Sequence, residues 1–133
     1  MTGFLLDTNV VLWMLTGGSR LNSTAKARLD SEQRFVSVIS FAEIAIKASL
    51  GKLPLPPPFT TDFGGALRAA LAFVAADILL VDLEAVEHLR QLPFHHRDPF
   101  DRMIIAQAFA GGLTVVTGDR AFDAYDGLPL LKV

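Results

Sequence analysis

The chain of 133 residues predicts an α/β fold: a mainly parallel sheet of four to five strands with helices on both faces. Two observations carry that prediction. Short apolar or β-branched runs alternate along the chain with segments of helical composition bounded by capping or breaking residues. Hydrophobic residues make up 51% of the chain and the mean hydropathy is +0.40, a level that suits a thoroughly buried sheet and a buried subunit interface. The length is that of one domain, spanning residues 1–133, and is sufficient for an ordinary core.

The elements follow in order. Phe4-Leu5-Leu6 reads as a buried strand that ends at Asp7-Thr8-Asn9. Val10 to Leu15 continues as an apolar helix closed by Gly17-Gly18, and Asn22-Ser23-Thr24 caps a second helix running to Leu29. Phe35 to Val38 is the second strand, followed by a helix from Ser40 to Ser49 that Gly51 closes. Leu53 to Phe59 holds Pro54, Pro56, Pro57 and Pro58 and is an extended connector. Thr61 to Ala75 is helical in composition, weakened by Gly64-Gly65. Ile78 to Val81 is the third strand, and Leu83 to Leu92 a helix with one polar side. Pro99 to Ala110 has almost no polar face, so that helix is expected to be buried. Thr114 to Thr117 is the fourth strand and Leu130 to Lys132 a short fifth.

Composition excludes several function classes. The absence of cysteine removes disulfide frameworks, thiolate metal sites and cysteine nucleophiles, and suits a reducing cytosol. A net charge of −2 and a pI near 5.8 exclude a globally basic nucleic-acid-coating protein. No membrane or targeting segment is evident. Asp7 and Asn9 break the apolar start, no basic residue precedes it, and Gly111-Gly112 splits the uncharged stretch from Met103 to Gly118. A cytoplasmic location is therefore expected.

In parallel α/β sheets, sites form outside the carboxyl ends of the strands. Asp7 follows the first strand and Asp119 the fourth, so both belong to the same sheet edge. Glu43 lies in the first turn of the helix after the second strand, and Asp98 and Asp101 at the start of the buried helix. Each has an ordinary structural alternative. Ser40 and Glu43 have the spacing of a capping box, and Asp7 and Asp119 that of turn residues. Asp98, followed by Pro99, has the position of an N-cap, which leaves Asp101 the better ligand candidate. Asp123 and Asp126 read as solvated turn acids.

The joint pattern decides more than any one acid. Two carboxylates 4 Å apart repel by about 4 kcal/mol at an effective dielectric of ~20, so several such pairs need protons or a cation between them. A hard divalent ion binds through oxygen ligands alone, which points to Mg2+, with Mn2+ as a substitute, rather than zinc. His95 and His96 are adjacent and cannot readily approach one ion together; with His88 they read as surface or loop residues. An acid cluster holding such ions suits phosphodiester cleavage by a metal-activated water, with no protein nucleophile required.

These residues resemble the PIN-domain family of nucleases and, within it, the VapC-type toxins of type II toxin–antitoxin pairs. Leu5-Leu6-Asp7-Thr8-Asn9 is similar to the family's opening strand and first acid, and the run from Ser37 to Lys47 to its second-acid helix. Leu50-Gly51-Lys52-Leu53-Pro54-Leu55-Pro56 matches one VapC-like branch. His95-His96-Arg97-Asp98-Pro99-Phe100-Asp101-Arg102, running into Ile104 to Ala108, is the most specific stretch. Val116-Thr117-Gly118-Asp119-Arg120-Ala121-Phe122 resembles the last motif, departing from it at Gly118, where a larger or charged residue is usual. The segments stand in family order over nearly the whole chain. The resemblance implies a three-layer α/β/α sandwich and Mg- or Mn-dependent endoribonuclease activity. It places catalytic and metal-binding roles on Asp7, Glu43, Asp101 and Asp119. It further implies a homodimer and inhibition by a cognate antitoxin protein.

For RNA contact, Arg102 is the strongest candidate among the arginines flanking the acids, against a solvated face or salt bridge. Lys47 is a second candidate, against an i, i+4 pair with Glu43. No sequence-reading RNA module is recognisable. Trp13 reads as core or interface. Two rival functions remain at this stage. A phosphotransfer domain using Asp7 usually has a second aspartate two residues on, where this chain has Asn9. A non-catalytic PIN-like binding module would have no use for the repulsion among the four acids.

Overall fold

The computed structural model describes residues 2–17 and 21–133. Its elements are β1 (Phe4–Leu6), α1 (Thr8–Leu15), α2 (Ser23–Leu29), β2 (Arg34–Ser37), α3 (Val38–Ser49), α4 (Phe63–Phe73), β3 (Asp77–Leu79), α5 (Leu83–Gln91), α6 (Pro99–Gly111), β4 (Thr114–Thr117), a short 3-10 helix (Arg120–Ala124) and β5 (Leu130–Lys132). The strands form one five-stranded sheet in the order β3-β2-β1-β4-β5, and every pairing is parallel. Gly18, proposed with Gly17 to close α1, lies outside the described residues.

The sheet is the middle of three layers. Successive side chains of a strand point to opposite faces. Phe4, Leu6, Val36 and Val116 join a core shared with Val10 and Val11 of α1, Leu29 of α2, Phe41 and Ile44 of α3, and Val74, the residue after α4. Leu5, Phe35 and Val115 pack on the other face against Ile104, Ile105 and Ala108 of α6, which α5 covers in turn. α6 is buried as its apolar composition predicts, yet it carries two buried polar residues. One, Gln107, accepts a hydrogen bond from the Ser37 hydroxyl and donates to the Leu80 carbonyl at 3.3 Å, so its amide is satisfied.

Local chemistry sets the helix boundaries. Asp62 caps α4, accepting from the Gly65 amide at 3.1 Å, and a Cβ at Gly65 would collide with that carboxylate. The glycine pair therefore serves the start of α4 instead of breaking its middle. Gly112 ends α6 in the left-handed region at φ 64°. Before α3 there is a correction. Ser37, not Ser40, is the N-cap, its hydroxyl accepting from the Ile39 amide at 3.0 Å, so the helix starts two residues early and β2 ends one residue sooner, at Ser37. The 3-10 helix after β4 was not legible in the sequence. Asp119 opens it by accepting from the Ala121 amide at 2.9 Å.

The strand order matters most for function. From β1 the chain steps outward to β2 and β3 on one side, then crosses back to lay β4 and β5 on the other. β1 and β4 are hydrogen-bonded neighbours, with Leu6 paired to Val116. Crossovers leave these two strands in opposite directions, which opens a crevice at their carboxyl ends. Asp7 and Asp119 stand there. No helix among the described residues is long and apolar enough to cross a membrane.

Candidate functional site

Asp7 directly follows β1 and caps α1. It is only 3% exposed. Its Oδ1 accepts from the Thr8 amide at 2.7 Å, and its Oδ2 accepts from the Thr117 hydroxyl at 2.9 Å. That hydroxyl in turn accepts from the Asp119 amide at 3.0 Å. One threonine at the end of β4 thus joins the acids of two strand ends. Thr8 extends the frame sideways, its hydroxyl donating to that of Ser40 on α3 at 2.9 Å.

Glu43 makes no capping box, because the cap lies at Ser37 and Ser40 is occupied by Thr8. The Glu43 side chain instead pairs with Lys47 one turn on, Oε2 to Nζ at 2.6 Å. The other oxygen, Oε1, is buried without a hydrogen-bond partner, in a residue 6% exposed. Leaving a buried polar atom unpaired costs about 1–3 kcal/mol, more when it is charged. Asp98 caps α6, accepting from the Phe100 and Asp101 amides at 2.9 and 3.2 Å. Asp101 is therefore free of capping. Its Oδ2 faces His96 Nε2 at 3.4 Å.

The electrostatics tie these acids together. Burial pushes Asp7 up to about 6, against the hydrogen bonds from Thr117 and Thr8, with the charges of Glu43 and Asp119 adding to the rise. Asp101 is pushed up to about 8, first by burial and then by Asp98, Asp7, Glu43 and Asp119. Lys47 moves upward too, chiefly through its hydrogen bond to Glu43, against burial and with help from Asp98 and Asp101. Asp7, Glu43, Asp101 and Asp119 thus share one electrostatic neighbourhood. Among the described residues, no three acidic or histidine side chains already close into a coordination shell. The donor set nonetheless fits a hard divalent cation, being all carboxylate oxygen. The unpartnered Glu43 Oε1 is the atom such an ion would satisfy.

Two basic residues part company. Lys47 remains half exposed and, with Asn9 and Lys52, lines a cleft of about 160 Å³ beside Glu43. Arg102 does not fit the expected contact with RNA. It is 7% exposed. Its guanidinium donates to the carbonyls of Pro93 at 2.9 Å and Leu92 at 3.4 Å and to the Tyr125 hydroxyl at 3.3 Å, under the ring of Phe94 at 4.1 Å. The residue next to Asp101 thus holds the loop before α6 in place. Arg102→Ala removes a buried guanidinium together with its hydrogen bonds to the Leu92 and Pro93 carbonyls and the buried Tyr125 hydroxyl, and we expect it to lower unfolding free energy by about 2–4 kcal/mol, read by urea denaturation.

Sequence reasoning also missed supporting residues. His96, read as a surface or loop residue, is largely buried and contacts both Asp101 and Tyr125. Thr117 and Thr8 stand within two residues of an acid and were findable. Tyr125 has no local signal. Gly118 has its own explanation: a Cβ there would lie 2.9 Å from the Trp13 ring and 3.0 Å from the Val133 carbonyl, so Trp13 fills the place of the usual larger side chain. Asp123 pairs with Lys132 at 3.0 Å, and the same ammonium donates to the Asp119 backbone carbonyl at 2.9 Å.

Residues 4–128 match the PIN domain family model. No curated protein matches the chain in sequence. Among solved structures it is similar to the DNA-bound VapBC of Salmonella typhimurium at 24% identity and a TM-score of 0.73, over 99% of this chain and 98% of that one. It is similar to FitAcB of Neisseria gonorrhoeae at 26% identity and a TM-score of 0.68, over 97% and 96%. It also resembles VapBC-5 of Mycobacterium tuberculosis, a member of the VapBC family of toxin-antitoxin systems, at 25% identity and a TM-score of 0.65, over 99% and 98%.

Proposed function

The chain belongs to the PIN-domain family, and from that premise we propose that it is a metal-dependent endoribonuclease, the toxin of a toxin–antitoxin pair acting in the cytoplasm. The observation that carries the reading is the unpartnered, buried Glu43 Oε1 among acids whose charges help raise the proton affinity of Asp7 and Asp101. A fold that needed these groups only for capping would pair that oxygen.

Asp7, Glu43, Asp101 and Asp119 hold Mg2+ or Mn2+. When bound, such an ion acidifies a water and offsets charge on the phosphate and the leaving oxygen. Thr117 keeps Asp7 Oδ2 oriented from β4. Lys47 grips Glu43 Oε2, and together with Lys52 it draws the RNA backbone into the cleft beside Glu43. Asp7 itself is no nucleophile in this scheme, since it is buried with both oxygens accepting hydrogen bonds. The VapBC neighbours support an antitoxin protein as partner.

Purified protein is expected to cut RNA with Mg2+ or Mn2+ and to stop on adding EDTA. Glu43→Gln is expected to lower cleavage at least roughly 100-fold, since losing even the outer supports of a metal site costs ~10–100-fold. Cutting that survives EDTA and Glu43→Gln would refute the assignment. A homodimer is part of the same reading. Ile78, Leu80, Val81, Leu83 and Val86 are exposed in succession from edge strand β3 into α5, with Leu83 at 87%, and a second copy of the chain is the partner assigned to them. Leu83→Asp is expected to shift sedimentation from dimer to monomer; an unchanged dimer places the contact elsewhere.

A further inference from the structure

Resting on the metal-holding role proposed for Asp101, we propose that His96 and Tyr125 are positioning residues: a directed chain of hydrogen bonds from Arg102 through Tyr125 and His96 sets the orientation of the Asp101 carboxylate. The direction follows from which atoms can donate. A guanidinium has donors only, so Arg102 Nη1 donates to the Tyr125 oxygen, at 3.3 Å. Tyr125 is 3% exposed, so its own phenolic proton needs an acceptor within the protein. Among the described residues the structure gives that oxygen one such neighbour, His96 Nδ1 at 2.7 Å. With Nδ1 accepting, the neutral imidazole carries its proton on Nε2. Nε2 is the atom that faces Asp101 Oδ2 at 3.4 Å.

The chain is anchored at its far end. Arg102 is held by the Leu92 and Pro93 carbonyls and the Phe94 ring, so its position does not depend on Tyr125. The His96 ring meets the Tyr125 ring edge to face at 5.5 Å, and His95 meets the same ring at 4.9 Å, which fixes the plane of the phenol. The contact to Asp101 is the longest link. It is short enough to bias the turn of Oδ2 and long enough to leave the carboxylate to a stronger ligand. The four participants come from the loop before α6, from α6 itself and from the segment after the 3-10 helix, so the arrangement requires the folded site. Carboxylates that hold metals are themselves held by such outer hydrogen bonds, and losing one costs about 10–100-fold in affinity.

The test is Mn2+ binding by calorimetry on the full chain, with wild type, His96→Leu, His96→Gln and Tyr125→Phe. His96→Leu keeps bulk without a donor, and His96→Gln restores an N–H toward Asp101. His96→Leu and Tyr125→Phe are expected to weaken Mn2+ binding by roughly tenfold or more, and His96→Gln to recover most of the loss of His96→Leu. A role confined to packing would not give that recovery. Nitrogen-15 NMR of the metal-free protein provides a readout without metal: wild-type His96 is expected to be protonated at Nε2 alone, and Tyr125→Phe to mix the two tautomers. Equal Mn2+ affinity in wild type and His96→Leu, or an Nδ1-protonated wild-type ring, overturns this inference and leaves the nuclease reading standing. A wild-type chain that takes up no Mn2+ overturns the nuclease reading, and the positioning role with it.

Discussion

Asp101→Asn is expected to abolish RNA cleavage, by at least roughly 100-fold, and at the same time to make the metal-free protein more stable. The second effect is unusual for a substitution at a buried site and follows from the acid's surroundings. Its carboxyl is pushed from an ordinary 3.8 to about 8 by burial and by four neighbouring acids. Each pKa unit corresponds to about 1.4 kcal/mol, so even half of that rise amounts to about 3 kcal/mol of strain in the ionised form. Asp101 also lies in the first turn of α6, where a negative charge gains about 0.3–1 kcal/mol from the helix dipole. The dipole gain is smaller, so neutral asparagine wins. At pH 8 the metal-free variant should melt at least about 4 °C above wild type. Asp98→Ala supplies the opposite sign three residues away: it removes the α6 cap and should lower stability by about 1 kcal/mol. A calorimetric series in which Asp101→Asn destabilises the metal-free chain would show that the acid serves the fold and not an ion.

The second large effect is a pH dependence that reverses when metal is added. Asp7 and Asp101 both have folded-state values above the ordinary 3.8, at about 6 and about 8. The native state therefore binds more protons than the unfolded state between pH 4 and pH 8. Unfolding free energy must fall as pH rises through that window. Below pH 4 both states are protonated, the slope vanishes and the stability is fully retained; above pH 8 its loss is complete. A divalent ion needs the ionised carboxylates, so its binding releases protons and tightens as pH rises. Melting temperatures with and without Mg2+ should converge near pH 5 and separate progressively toward pH 8. Parallel curves, or a gap that narrows with pH, would contradict the assignment of these acids to an ion. Cleavage should rise over the same interval.

How far the sequence led can be judged residue by residue. The layers, the parallel sheet and the strand-end acids were legible because β-branched runs, cap residues and glycine stops are local signals, and Asp98 with Pro99 announces a helix start on its own. The boundary at α3 was misread for a physical reason. Ser37 and Ser40 are both plausible caps, and a strand that runs straight into a helix leaves no turn residue to choose between them. That choice mattered, because with the cap at Ser37 the carboxylate of Glu43 has no amide to serve and is left half unpaired. Arg102 was misread because an arginine on an apolar helix reads as solvated until the acceptors that bury it are known. These acceptors are the Leu92 and Pro93 carbonyls and the Tyr125 hydroxyl, which only the fold brings to it. His96 was undervalued for the same reason, since its partner Tyr125 lies 29 residues further along the chain and beside it in space.

The most direct test of the account is crystallographic. A crystal of the wild-type chain soaked in Mn2+ and measured at the manganese absorption edge should show anomalous density enclosed by carboxylate oxygens of Asp7, Glu43, Asp101 and Asp119, with Glu43 Oε1 among the ligands. Density at some other place on the protein, or none at these acids in a crystal that binds the ion elsewhere, would contradict the claim that they form a metal centre.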